Sequence, residues 1–224
     1  MDKIKKIGLF FILFFIFLVS DLYYLIPLKI LNIDYDTLNY STKMLLTIGS
    51  NLILVIVFIL IYRKYLKEKL IDFKNNYKDY LDLGLKWWFI GLIGMCVTNL
   101  LIAIFTPVKE ANNEVLVQEM LKQAPFLSFI SATFIAPFLE EMLFRKSLGD
   151  TINNKKLMPI ISGLVFGLLH VVFSLQSGWD LLYTIPYGLL GFGFAMILAK
   201  KDNVFIPICF HMLHNGILTL LSIL

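Results

Sequence analysis

The sequence predicts an all-α protein: a polytopic membrane helical bundle with about seven transmembrane helices. Three observations carry that prediction. Of 224 residues, 58% are hydrophobic and only 16% charged, with mean hydropathy +0.79; soluble domains are less apolar and more charged. Seven segments reach the ~20 apolar residues that a bilayer crossing needs: Ile7–Leu28, Met44–Tyr62, Trp87–Thr106, Phe126–Phe144, Leu157–Leu175, Leu181–Ala199 and Val204–Leu224. Lys and Arg alternate between the loops. With the N-terminus in the cytoplasm, sixteen fall in inside segments and four in outside ones. The positive-inside rule then predicts a cell-membrane protein with its N-terminus cytoplasmic and its C-terminus outside.

In chain order, Lys3, Lys5 and Lys6 before the run Ile7–Val19 resemble a secretory signal. No A-x-A-like site follows, and Leu22–Ile26 extends the run, so the first span is expected to be uncleaved and to end near Pro27. Asp21 lies near its outer third, where interfacial water is within reach. Between spans two and three, Leu66, Leu70, Phe73, Tyr77 and Leu81 recur at helical spacing with lysines between them. That pattern fits a helix lying on the inner leaflet or an extension of span two, and periodicity does not separate the two. The loop Lys109–Gln123 is polar, expected outside, and announces no chemistry. Cys96 and Cys209 fall in apolar spans without a CxxC and read as packing residues. The basic residues belong to membrane-facing loops, so the lipid bilayer is the expected partner and nucleic acid is not. Nothing in the sequence indicates oligomeric state. The organisation expected is an N-terminal transmembrane region with a cytoplasmic amphipathic segment, 1–125, and a catalytic core, 126–224.

The fourth span holds the chemistry. Ile135-Ala-Pro-Phe-Leu-Glu-Glu-Met-Leu-Phe-Arg-Lys146 carries Glu140, Glu141 and Arg145 in or beside an apolar run. Each mid-membrane charge costs roughly 2.5–3.5 kcal/mol on insertion scales, so these three need a reason. Glu141 and Arg145 are four apart with the acid N-terminal, the favourable order for a helical pair. Glu140 lies about 100° around the helix, without such a partner. A desolvated, free carboxylate suits a general base. Pro137 frees backbone carbonyls and is expected to bend the span.

Spans five and seven supply the complement. His170, His211 and His214 are the only histidines, all in predicted membrane helices, and His211 and Asn215 share a helical face. At 1.5 Å per residue, Glu140 lies roughly 13 Å from a helix end near Gly149. His170 lies about 18 Å from Leu157, and His211 and Asn215 roughly 10 and 16 Å from Val204. These depths predict one polar slab in the cytoplasmic half. Gly163, Gly167, Gly188, Gly191 and Gly193 would let the surrounding helices close up around it. A free carboxylate, two imidazoles and an amide fit peptide hydrolysis: a base for water and donors for the tetrahedral oxyanion.

At these residues the sequence resembles the CAAX protease and bacteriocin-processing (CPBP, or Abi) family of intramembrane endopeptidases. Glu140-Glu141-x-x-x-Arg145, Phe166-x-x-x-His170 and His211-x-x-x-Asn215 look like its three motifs, in family order and on separate spans. The resemblance covers roughly Phe126 to Leu224. It implies a glutamate-dependent endopeptidase open toward the cytoplasmic half. Glu140 and His170 would activate water, His211 and Asn215 would form the oxyanion hole, and Glu141 and Arg145 would be the supporting pair. His214 is no motif position and reads as structural. The implied substrate is a peptide or membrane protein. For a bacterial chain, that means bacteriocin maturation or immunity, peptide pheromones or membrane-protein turnover.

Three other readings stand beside this one. Two histidines and a glutamate could bind zinc, but HExxH is absent and an Asn amide is a poor zinc ligand, so no metal and no other cofactor is expected. A non-catalytic immunity or peptide-binding protein would show degenerate motifs, and these are intact. A transporter would show paired broken helices in matching halves, which the sequence lacks.

Overall fold

The computed structural model describes residues 2–224, the Asp21 side chain excepted, so the reading of that residue lies outside the described residues. About 85% of the chain is helical, with no strand among the described residues. The helices are α1 (Lys3–Leu18), α2 (Leu25–Ile30), α3 (Tyr40–Phe105), α4 (Asn112–Gln123), α5 (Pro125–Ser147), α6 (Leu157–Val172), α7 (Thr184–Lys201) and α8 (Phe205–Ile223). By length and composition α3, α5, the stretch Gly178–Lys201 containing α7, and α8 can cross a membrane, and α6 is a shorter apolar helix. This is an all-α polytopic membrane bundle.

The first predicted span is not one helix. α1 stops at Leu18, a 3₁₀ turn covers Ser20–Leu22, and the short α2 follows. Polar Ser20 and Asp21 interrupt the apolar run at that point. Predicted spans two and three fall on α3, a 66-residue helix that is non-helical only at Asn76 (φ −122°, ψ 17°). A straight rod of that length would run about 99 Å, three times the hydrocarbon thickness. Instead both arms start from one level. Tyr65 hydroxyl accepts the Val204 N–H (3.2 Å), and Lys201 Nζ lies over the Tyr80 ring, 5.6 Å from its centre. The Leu66–Asn75 stretch is therefore an extension of span two. Asp72 ties the bend together, accepting from Tyr80 hydroxyl (2.7 Å), Asn203 Nδ2 (2.8 Å) and Asn76 Nδ2 (2.8 Å).

One apolar cluster runs from α1 (Phe10, Leu13) through the first arm of α3 (Leu54, Phe58) to α5 (Leu139, Leu143, Phe144) and α6 (Phe166). A second joins Trp88 of α3 to Leu190 and Phe194 of α7 and to Phe210 of α8. The first three predicted spans thus pack directly on the motif-bearing helices. α6 and α7 approach almost backbone to backbone. A Cβ at Gly163 would sit 2.6 Å from the Gly188 carbonyl oxygen, and one at Gly167 would meet that of Thr184. Cys96 and Cys209 are exposed free thiols on the outside of the bundle, not packing residues. Their helices are apolar all round, so sequence does not say which face turns inward.

Candidate active site

α5 is helical throughout but has two π-helical turns, Ser131–Ile135 and Glu141–Ser147. The first follows from Pro137. Ala136 N–H bonds to the Ser131 carbonyl five residues back. The next donor in that register would be residue 137, which as proline has no N–H. The Ala132 carbonyl is taken instead by Asn215 Nδ2 of α8, at 2.9 Å. Pro137 therefore docks α8 on α5 and orients the Asn215 amide, leaving that amide a second N–H.

The Glu141–Arg145 pair forms as its spacing predicts, with Nε 3.1 Å from Oε2 and both side chains fully buried. The contact is an ion pair without good hydrogen-bond alignment, since neither atom has a hydrogen-bond partner. Arg145 Nη2 donates to the Gly191 carbonyl (3.1 Å), and its guanidinium lies over the Phe166 ring at 4.3 Å. Phe166 in turn lies tilted against His170 (centroids 4.2 Å apart, planes at 41°), and its carbonyl oxygen lies 2.9 Å from His170 Nδ1. The phenylalanine four residues before His170 thus links two motifs and turns His170 Nε2 inward.

His211 Nδ1 lies 2.8 Å from Glu141 Oε1. A carboxylate only accepts, so Nδ1 carries the hydrogen. Phe194 stacks on the imidazole, with centroids 4.8 Å apart. Nε2 of His211 then points at Glu140 Oε2 (3.7 Å), with His170 Nε2 at 4.0 Å from the same oxygen. Glu140 Oε2 is buried and makes no hydrogen bond to the protein. The two adjacent glutamates are thus divided as expected, one bound in an ion pair and one free.

Glu140, His170, His211 and Asn215 line a single cavity of about 200 Å³. So do three groups to which the sequence reading gave no role. His214 is nearly fully buried, and its Nδ1 accepts from Trp88 Nε1 at 3.4 Å. α4, in the polar loop expected to announce no chemistry, contributes Asn113 and Glu114. Burial pushes the Glu114 carboxyl up, and the Glu110 charge adds to that. The signal in the sequence was the mixed pattern of α4, with Val117 and Leu121 at apolar spacing between polar residues, both of which also line the cavity. A larger apolar groove of about 470 Å³, between Phe73–Leu85 and Ile206–Leu213, holds no histidine or carboxylate.

The lining of the cavity runs from Glu140 along Asn215 to Leu218 and Ser222 at the far end of α8 and to α4. That is the end of the bundle away from Lys146, Lys155, Lys156, Lys200 and Lys201. α6 also ends only two residues beyond His170.

Among known proteins, the Rce1-like family, described as type II CAAX prenyl endopeptidase Rce1-like, matches residues 122–217. "Putative membrane peptidase YdiL" of Bacillus subtilis (strain 168) is 25% identical over 75% of this chain and 68% of its own length. "UPF0177 protein YxdF" of Lactococcus lactis subsp. lactis (strain IL1403) is 30% identical over 68% of this chain and 81% of its own. No solved structure matches the chain. With its three motifs converging on one cavity and these relatives beside it, this chain belongs to the Rce1-like (CPBP) family of intramembrane proteases and is a multi-pass membrane protein.

Proposed function

We propose that this protein is an intramembrane endopeptidase using Glu140 as its general base. One observation carries the reading: a buried carboxylate oxygen, free of protein hydrogen bonds, faced by two imidazole nitrogens at 3.7 and 4.0 Å. Those distances exceed direct hydrogen bonds and match a site where one water oxygen is shared.

His170 Nδ1–H is held by the Phe166 carbonyl, so its Nε2 lone pair accepts one water hydrogen. Glu140 takes the water's other proton as its oxygen attacks the peptide carbon. The developing oxyanion accepts the second Asn215 Nδ2–H and a His211 Nε2–H. Because His211 Nδ1–H is committed to Glu141, a hydrogen on Nε2 makes the ring an imidazolium, whose charge Glu141 balances. Carboxylates at Glu140 and Glu141 against Arg145 and His211 imidazolium sum to zero, which limits the cost of burying all four. Collapse of the intermediate breaks the C–N bond, Glu140 returns its proton to the leaving nitrogen, and the base is regenerated.

A zinc-dependent reading has one observation in its favour. Nε2 of both histidines faces the Glu140 carboxylate, while Nδ1 of each is held by an oxygen, as in zinc sites. Against it, no group of three His, Cys, Asp or Glu among the described residues is spaced to hold a metal ion. We favour hydrolysis without a metal or other cofactor.

The test is cleavage of a quenched fluorescent peptide library by purified protein, wild type beside Glu140→Gln, with and without chelator. Activity kept in chelator and absent from the variant is expected. Loss in chelator with rescue by zinc would favour the metal reading. Equal turnover by the variant would sink the mechanism.

A further inference from the structure

His214 is the histidine of the cavity wall that the mechanism above leaves idle. It is 4% exposed and stands on α8 between His211 and Asn215 in the chain. Trp88 Nε1 donates to its Nδ1 at 3.4 Å. An indole nitrogen is a donor alone, so Nδ1 presents its lone pair and the ring hydrogen sits on Nε2. The ring is thereby neutral, which keeps the charge balance of Glu140, Glu141, Arg145 and His211 intact.

That leaves one N–H to account for. Among the described residues nothing accepts from His214 Nε2, yet the atom is not sealed in by its neighbours. The space beside it is the cavity. A donor that only filled a gap beside Trp88 would lie unpaired in an apolar wall, at a cost in stability. Nε2 escapes that cost when the contents of the cavity accept from it: water when the site is empty, a carbonyl when it is loaded.

The direction of the donor follows from the helix. Asn215 turns toward α5, where it bonds the Ala132 carbonyl, and His214 turns toward Trp88 of α3. The two side chains diverge by about 100° and flank His211 on opposite sides. They cannot both serve one oxygen from those flanks. A helix carbonyl is already bonded to an N–H four residues on, so the cleaved stretch meets Glu140 unwound. In an extended chain, carbonyls of successive residues point to opposite edges. With the scissile oxygen on His211 and Asn215, the neighbouring carbonyl points to the flank of His214.

We propose that His214 Nε2–H is a substrate-binding donor that takes the backbone carbonyl next to the scissile one, in the tautomer that Trp88 imposes. This rests on the peptidase reading.

The experiment uses the full-length protein in detergent and a peptide that the library shows to be cleaved. Two analogues replace one amide by an ester, one on each side of the scissile bond, which weakens the neighbouring carbonyl as an acceptor. Cleavage of the scissile amide is followed by mass. His214→Leu should lower kcat/KM by about tenfold or more, as expected when a buried carbonyl loses its partner. His214→Gln keeps an N–H and should recover most of that. One of the two esters should be penalised in wild type and not in His214→Leu. If His214→Leu does not accumulate, Trp88→Phe, which frees the tautomer, should shrink the same penalty. Equal ester penalties in wild type and variant at both positions, or a His214→Gln as defective as His214→Leu, overturns the proposal. The nitrogen NMR spectrum of isotope-labelled histidines reads the tautomer without activity. The chain has three histidines, and the signal lost in His214→Gln should be of the Nε2–H form. A hydrogen on Nδ1 overturns the proposal even in an active protein. Absence of cleavage by wild type refutes instead the peptidase reading, and the role of His214 falls with it.

Discussion

His211 Nδ1 lies 2.8 Å from Glu141 Oε1, and this contact joins an ion pair written within one helix to an imidazole on another. It separates the tasks of two adjacent glutamates. Glu141 is consumed by Arg145 and His211, while Glu140 Oε2 keeps no protein hydrogen bond. Substitutions at the two positions should therefore fail in different ways.

Glu140→Gln should abolish cleavage at near-wild-type stability. Glu140 Oε2 has no hydrogen bond to lose, and the desolvation cost relieved by removing its charge offsets the lost attraction to the imidazoles at 3.7 and 4.0 Å. Thermal unfolding in detergent, read beside turnover, checks both halves. A large loss of stability would mean that Glu140 is a packing residue.

Arg145→Met leaves Glu141 charged and buried without its cation. Breaking such a pair costs about 3–5 kcal/mol. The double variant Glu141→Gln/Arg145→Met should recover part of that loss but not activity, because His211 would lack the anion that stabilises its imidazolium. A double-mutant cycle on the unfolding midpoints measures the coupling; additive effects would contradict it.

Asn215→Ala removes one oxyanion donor, worth about 10²–10³ in kcat. It also strands the Ala132 carbonyl, at about 1–3 kcal/mol of stability. The fall should appear in kcat rather than KM, because the interaction forms only as the oxyanion develops.

Gly191→Ala should be felt where Gly49→Ala is not. A Cβ at residue 191 meets Phe166 Cδ1 at 2.8 Å and Arg145 Nη2 at 3.1 Å, whereas one at residue 49 meets nothing within 4 Å. Overpacking costs typically about 1–3 kcal/mol, and the displaced Phe166 ring would carry His170 with it. At the open position, alanine's helix preference should raise stability by up to about 1 kcal/mol. Unfolding midpoints and kcat for the two variants make the comparison.

Much of this site could be read along the chain because its links are local. Glu141 and Arg145 are one helical turn apart, as are His211 and Asn215, so their shared faces follow from helix geometry alone. The apolar runs and the distribution of lysines likewise belong to the sequence, since the bilayer selects on length and charge before any tertiary contact forms. What lay beyond it depended on contacts between helices far apart in the chain. Neither the reach of His211 to Glu141 nor the seating of Phe166 under Arg145 has a signal in residue spacing. The same is true of His214 and α4 in the cavity wall. The sequence by itself determined which groups are buried and unpaired within their own helices. Only the tertiary structure decided which partner each one meets, because in lipid that choice is made by close packing and hydrogen bonding between helices rather than by hydrophobicity.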